Sequence, residues 1–242
     1  MFCGVVYIAG VTSRSQRERS PWTAATLGTY LGLTGCINHG VFEIMQGNTP
    51  TNGFFIEAIG EAQRFWTHGT EAAVTAIPSF LATGVAVLLV GLAVIVWTLR
   101  FIHKKHGATV FLMLMLVLTL VGGGLAHIVL FLPIWGYATR INKPLSWWRK
   151  VLSTNARNVL ATLWKPVLVL TTLSWVMVMQ LGIFGYFPWQ TDPDVLLSVT
   201  IGFVLLTALL ASLAFACAFA GDIRRNDVSG GDAANTSVMA AT

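Results

Sequence analysis

His39 and Glu43 lie four residues apart inside an otherwise apolar stretch, WTAATLGTYLGLTGCINHGVFEIMQ, residues 22–46. On a helix that spacing puts an imidazole and a carboxyl group on one face, with Asn38 beside them. Ionisable groups inside an apolar span are costly, so their presence marks an ion, proton or ligand site until shown otherwise. Gly28, Gly32, Gly35 and Cys36 fall close to the same face. Small residues admit a neighbouring helix at close range, so this face is expected to point into a bundle.

Other groups of the same chemistry flank neighbouring apolar runs: His68 and Glu71 before the second, His127 just after the glycines 122–124. Imidazole nitrogen and carboxylate oxygen together suit zinc, manganese or iron, so His39, Glu43, His68, Glu71 and His127 are metal candidates. His39 with His127 could in principle ligate a haem. Without a metal, Asn38, His39, Glu43 and Glu71 could bind a solute or relay protons. The competing structural reading is that His39, Glu43 and Asn38 hydrogen-bond one another and tie helices together. One HxxxE spacing does not choose among these, and the sequence assigns neither a catalytic residue nor a cofactor.

For such groups to meet, the chain must fold in lipid. Hydrophobic residues make up 55% of 242 positions and charged residues only 10%, with mean hydropathy +0.71. Apolar runs approach the roughly 20 residues that a helix needs to cross about 30 Å of hydrocarbon. The net charge of +5 then reads as basic residues that orient the spans and meet anionic headgroups, and nucleic acid is not an expected partner. Cys3, Cys36 and Cys217 give no disulfide framework. Arg14, Arg17 and Arg19 follow the apolar opening segment instead of preceding it, the wrong order for a secretory signal.

Charge also sets the threading. With Arg14, Arg17 and Arg19 cytoplasmic, the first span (22–46) exits and the polar segment 47–70 lies outside, its stretch 54–66 expected to form a short surface helix bearing Glu57 and Glu61. The second span (72–102), kinked at Pro78, returns and leaves Arg100, Lys104 and Lys105 inside. A single crossing by 108–136 would place Arg140, Lys143, Arg149, Lys150, Arg157 and Lys165 outside, against the positive-inside tendency. A reversal at Gly122, Gly123 and Gly124 keeps them inside, and of the 15 Lys and Arg residues only Arg64 is left outside. Each arm would be roughly 18 to 22 Å long at 1.5 Å per residue. That is short for a crossing, so a re-entrant hairpin is favoured over one long tilted helix.

The expected fold is all-α and polytopic: four clear spans plus a glycine-tipped hairpin. Its parts are a cytoplasmic N-terminal segment (1–21), a membrane domain (22–141) with outer loop 47–70, a cytoplasmic interfacial helix (142–165), a two-span extension (166–220) and a disordered tail (221–242). In the interfacial helix, Arg149, Lys150 and Arg157 could hold anionic lipid. Gln180 is expected to bond between helices, and most tryptophans, including Trp22, Trp97, Trp135, Trp164 and Trp189, to anchor span ends. No Walker A loop, GxSxG elbow or HExxH helix is present, nor an Arg ladder or an inverted repeat.

The runs NHGVFEIMQGNTPTNG, GTEAAVTAIPSFLATG, RFIHKKHGA and LVLTLVGGG resemble a family of small bacterial multi-span membrane proteins that lack an assigned function. The resemblance covers about residues 28–143, and 144 onward looks like an extension outside it. Family members often carry GFGPP-like residues after the glycines, where this chain has Leu125, Ala126 and His127. The resemblance implies a bacterial plasma membrane and supplies no catalytic residue. The leading expectation is a membrane protein that handles a small solute, ion or proton through an outer-half polar cluster. A metal- or haem-dependent membrane enzyme and a structural or accessory subunit are the alternatives, and homo-oligomerisation is left open.

Overall fold

The structure is a computed structural model that describes residues 19–239, with side chains over 19–227. The expected cytoplasmic segment 1–21 lies, apart from residues 19–21, outside the described residues. The chain is nearly all-α. Helix α1 (Arg19–Thr34) passes through a π-helical segment (Gly35–Val41) into α2 (Phe42–Met45). A loop carrying strands β1 (Phe55–Glu57) and β2 (Ala72–Val74) leads to α3 (Phe80–Phe101), α4 (Gly107–Leu120) and α5 (His127–Ala138). The short α6 (Ser146–Val151), then α7 (Thr154–Phe184) and α8 (Pro193–Met239) complete the chain.

Three stretches are long and apolar enough to cross a membrane: Phe80–Phe101, Thr154–Phe184 and Pro193–Asp227. Leu89, Leu92 and Val96 of α3, Leu170 and Leu173 of α7, and Leu205 and Leu209 of α8 face outward. Such a continuous apolar exterior suits lipid and not water. Inside, Leu27, Leu31, Val87, Val94, Phe111, Met115, Phe131, Ile134, Trp175, Phe215 and Phe219 form one core drawn from α1, α3, α4, α5, α7 and α8.

The first helix packs on α3 through paired small residues. A Cβ at Gly32 would stand 2.7 Å from the Gly91 carbonyl oxygen, and one at Gly84 would stand 2.6 Å from that of Gly40. Backbones approach this closely only where side chains are missing, as in membrane helix pairs generally. The seam therefore fixes the rotation of α1, the π segment and α2 against α3.

The polar loop differs from expectation. Residues 54–66 form no helix; Phe55–Glu57 pair antiparallel with Ala72–Val74, with Ile56 opposite Ala73. The second apolar helix begins at Phe80 instead of residue 72, so Pro78 precedes the helix and does not kink it. A proline disfavours the helical region for the residue before it, which makes 78 a natural boundary. Thr75 bridges to Val121, and Leu125 N–H donates to the Ala72 carbonyl at 3.0 Å. The β hairpin and the glycine turn thus form one cap over the helix ends.

Contacts sort the two ends of the bundle. At the capped end, Trp66 Nε1 donates to the Gly182 carbonyl at 3.1 Å, which brings the end of α7 under the loop. At the opposite end Asn142 Nδ2 donates to the His103 carbonyl at 2.9 Å, so the chain leaving α5 meets the turn before α4. Asp222 of α8 accepts from Arg19 N–H (2.6 Å), Ser20 N–H (3.0 Å) and Ser20 Oγ (2.6 Å) at the start of α1.

Two further expectations are altered. The interfacial helix over 142–165 is divided: α6 ends at Val151, Ser153 caps the next helix, and 154–165 belong to α7. Of the three residues expected to hold anionic lipid, Arg149 and Arg157 both pair with Asp227, the latter at 3.2 Å, which leaves Lys150 outside that ion pair. The backbone of the tail continues α8 through Met239 instead of being disordered, and 240–242 lie outside the described residues.

Candidate functional site

The glycine turn positions the site. After α4, Gly122 and Gly124 take positive φ, +119° and +84°, a region that side-chain-bearing residues avoid. The turn reverses the chain and lays its backbone over His39, Glu43 and Glu71. A Cβ at Gly122 would sit 2.6 Å from Thr83 Cγ2 and 2.8 Å from Glu43 Oε1. One at Gly124 would overlap the His39 imidazole and lie 2.5 Å from Glu71 Oε1. Glycine is required at both positions by conformation and by space.

His39 sits in the π segment and is fully buried. π-Helical turns are rare and recur at functional sites, because the wider turn rotates side chains off the regular helical face. His39 Nε2 meets Glu71 Oε2 at 3.1 Å. Glu71 Oε1 accepts the Ala126 backbone N–H at 2.8 Å and lies 3.9 Å from His127 Nδ1. The two imidazoles stand edge to face with ring centres 5.4 Å apart. His39, Glu71 and His127 each present a donor atom, all within 4.8 Å of one another.

Thr34 completes the arrangement. Its hydroxyl is directed at the Tyr30 and Leu31 carbonyls, both at 2.9 Å, and lies 2.8 Å from His127 Nε2. With its own proton turned to the helix carbonyls, Thr34 accepts from His127 Nε2–H. The contact fixes the ring so that Nδ1 is turned toward Glu71 Oε1. Among the described residues, His127 Nδ1 has no hydrogen-bond partner.

Glu43 is fully buried one turn beyond His39. Among the described residues neither carboxyl oxygen has a hydrogen-bond partner, and His39 Nδ1 has none either. The bonds that the structural reading needs, between His39, Glu43 and Asn38, are therefore not formed. Burying a bare carboxylate costs several kcal/mol, so Glu43 must carry a proton or face a cation. Glu71 differs because 28% of its side chain is exposed. Burial alone would raise its pKa, but His39, through charge and hydrogen bond, and the Ala126 N–H hold it down at about 2.

Of the residues singled out from sequence, His39, Glu71 and His127 come together, with Glu43 adjacent beneath Gly122. Asn38 is only half-buried and makes no side-chain hydrogen bond to His39 or Glu43. His68 is a correction: its Nε2 pairs with Asp194 at 2.9 Å and its ring lies edge-on to Trp66. The β hairpin turns it toward the start of α8, away from Glu71. A haem does not fit between His39 and His127, because ring centres 5.4 Å apart and edge to face leave no room for a macrocycle between two axial imidazoles. Thr34, Thr83 and the Ala126 N–H were not foreseen; only Thr34, five residues before His39, shares a sequence segment with the motif. A depression of about 410 Å³ between 50–54 and 75–78 lies on the cap, and none of its lining residues belongs to the cluster.

Fold and site together define a nearly all-α protein of membrane type, with three helices of crossing length and an imidazole–carboxylate cluster roofed by a glycine turn. Comparison with protein-family models, curated proteins and solved structures found no match.

Proposed function

We propose that this chain is an integral membrane protein that accepts a proton or small cation from the outer face into a buried imidazole–carboxylate cluster. The observation that carries this reading is Glu43: fully buried, with both oxygens unpartnered among the described residues, and one helical turn from His39. A carboxyl group with this placement is unfavourable for stability and suited to exchanging a proton or cation. Glu71, partly exposed and hydrogen-bonded to His39, is the entry group, and His39 stands between it and Glu43.

In the proposed topology α1 with the π segment and α2 forms one span, and α3, α7 and α8 form three more. Helices α4 and α5 make a hairpin that enters from the cytoplasmic side and turns at 122–124. At 14 and 12 residues its arms are roughly 21 and 18 Å long, short of a full crossing. The charge distribution supports this orientation: Lys104, Arg149 and Arg157 share the end near Asn142, while Glu57, Glu71 and Asp194 share the capped end. The capped end is therefore outside, with the N-terminus in the cytoplasm. The resemblance over 28–143 supports a bacterial plasma membrane.

The test is flux into proteoliposomes. Wild-type protein should carry protons or a small cation down an imposed gradient, read by an internal pH dye and by cation uptake. Glu43→Gln should fold and lose that flux. Absence of wild-type flux for protons and for monovalent and divalent cations would refute the reading.

A further inference from the structure

We infer that His39, His127 and Glu71 form a three-ligand site for a divalent transition-metal ion of the zinc class, roofed by the bare backbone of Gly124. This deepens the proposed function and rests on the same cluster.

The donor set comes first. Two neutral imidazoles and one carboxylate with an open fourth position is a recurrent zinc arrangement, and manganese or iron would accept the same donors. Bonds of about 2.0 to 2.2 Å at tetrahedral angles place donors roughly 3.3 to 3.6 Å apart. His39 Nε2 lies 3.1 Å from Glu71 Oε2 and His127 Nδ1 lies 3.9 Å from Oε1, and the three donors fall within 4.8 Å of one another, so shifts of about an ångström bring all three onto one ion.

Orientation is the second observation. Metal-bound imidazoles usually donate their other N–H to a fixed partner. For His127 that partner is Thr34, which receives Nε2–H at 2.8 Å and aims Nδ1 at Glu71. His127 is 5% exposed, and its Nδ1 is unpartnered among the described residues. An imidazole nitrogen so buried and turned toward a carboxylate is placed as a metal ligand would be.

Space is the third. A Cβ at Gly124 would lie 2.5 Å from Glu71 Oε1 and against His39 Nε2. A side chain at 124 would press on both donors, so bare backbone there leaves them free to close on an ion. Partial exposure of Glu71 gives access from the capped end.

The experiment uses full-length protein purified in detergent and stripped with chelator, with Co2+ as optical probe and Zn2+ as competitor. Wild-type protein should bind Co2+ one to one with the visible d–d bands of a four-coordinate nitrogen–oxygen site, and Zn2+ should displace it. His39→Ala and His127→Ala should abolish the bands, and Thr34→Val should weaken binding by about 10- to 100-fold. His68→Ala should bind as wild type does. Monodispersity and melting temperature establish that each variant folds. If His39→Ala or His127→Ala does not fold, Thr34→Val alone decides. The inference is overturned if wild-type protein shows no one-to-one bands, or if the folded variants bind like wild type. Cobalt binding without flux in proteoliposomes would keep the metal site and remove the ion-handling function. Proton flux without cobalt binding would do the reverse.

Discussion

Gly124 stands so close over His39 that the smallest side chain at position 124 would overlap the imidazole, although 85 residues separate them in sequence. The roof of the cluster is thus bare backbone. Its shape is set by two positive φ angles, at Gly122 and Gly124, and a change there is felt directly by His39, Glu43 and Glu71.

Alanine at either position should be costly. Gly122→Ala and Gly124→Ala each force an L-residue into a disfavoured region, at about 1–3 kcal/mol, and add overlap with Thr83 and Glu43 or with His39 and Glu71. Gly136→Ala and Gly202→Ala, whose added Cβ would meet nothing within 4 Å, should melt like wild type or slightly higher. Thermal unfolding in detergent compares the four.

Glu43→Leu should raise stability. The substitution removes a buried, unpartnered carboxyl group from an apolar helix and gains roughly 1–3 kcal/mol. A lower melting temperature would mean instead that Glu43 holds helices together. The comparison therefore separates a functional acid from a structural one.

Glu71 should make stability depend on acid pH. Its carboxyl is held at about 2 instead of the ordinary 4.5, so between those values the unfolded chain binds the proton more tightly. The contribution of Glu71 is complete above about 4.5 and is lost as pH falls through about 2. Glu71→Gln should therefore be less stable than wild type at neutral pH, and the gap should close over that acid interval. Melting temperatures measured against pH give the comparison.

Asp222→Ala should loosen the start of α1. Its carboxylate accepts from two backbone N–H groups and the Ser20 hydroxyl, an arrangement worth about 1–2 kcal/mol at a helix N-terminus. Hydrogen exchange should rise at residues 19–23 and stay unchanged at the β hairpin.

Topology is open to cysteine labelling. In a background with Cys3→Ser, Asp192→Cys should react with a membrane-impermeant maleimide on intact cells and Lys143→Cys only after permeabilisation. The remaining native thiols, Cys36 and Cys217, are buried. Labelling of position 143 on intact cells would reverse the orientation of α7 and α8.

Much of the scaffold was legible in the chain because hydropathy acts over contiguous residues. The apolar runs that became α3, α7 and α8 are long enough to declare themselves, and the three glycines marked the break between α4 and α5. The small residues Gly28, Gly32 and Gly35 marked the face of α1 that turns inward. These signals are local, since each residue carries its transfer free energy or its φ freedom wherever it sits.

The site was only partly legible, for the opposite reason. His39 and Glu43 announced themselves as polar groups in an apolar helix, but a π turn separated their roles: His39 went to Glu71, and Glu43 went under Gly122. His68 and Glu71 are three residues apart, yet strand pairing sent one to Asp194 and the other to the two imidazoles. Local sequence points to a helix where β1 forms, because three-residue strands draw their stability from partners distant in sequence. Composition and spacing determined that this chain is helical, apolar and equipped with buried ionisable groups. Tertiary packing decided which of those groups meet, because hydrogen-bond partners and the space that a missing Cβ leaves belong to surfaces brought together only when the chain folds.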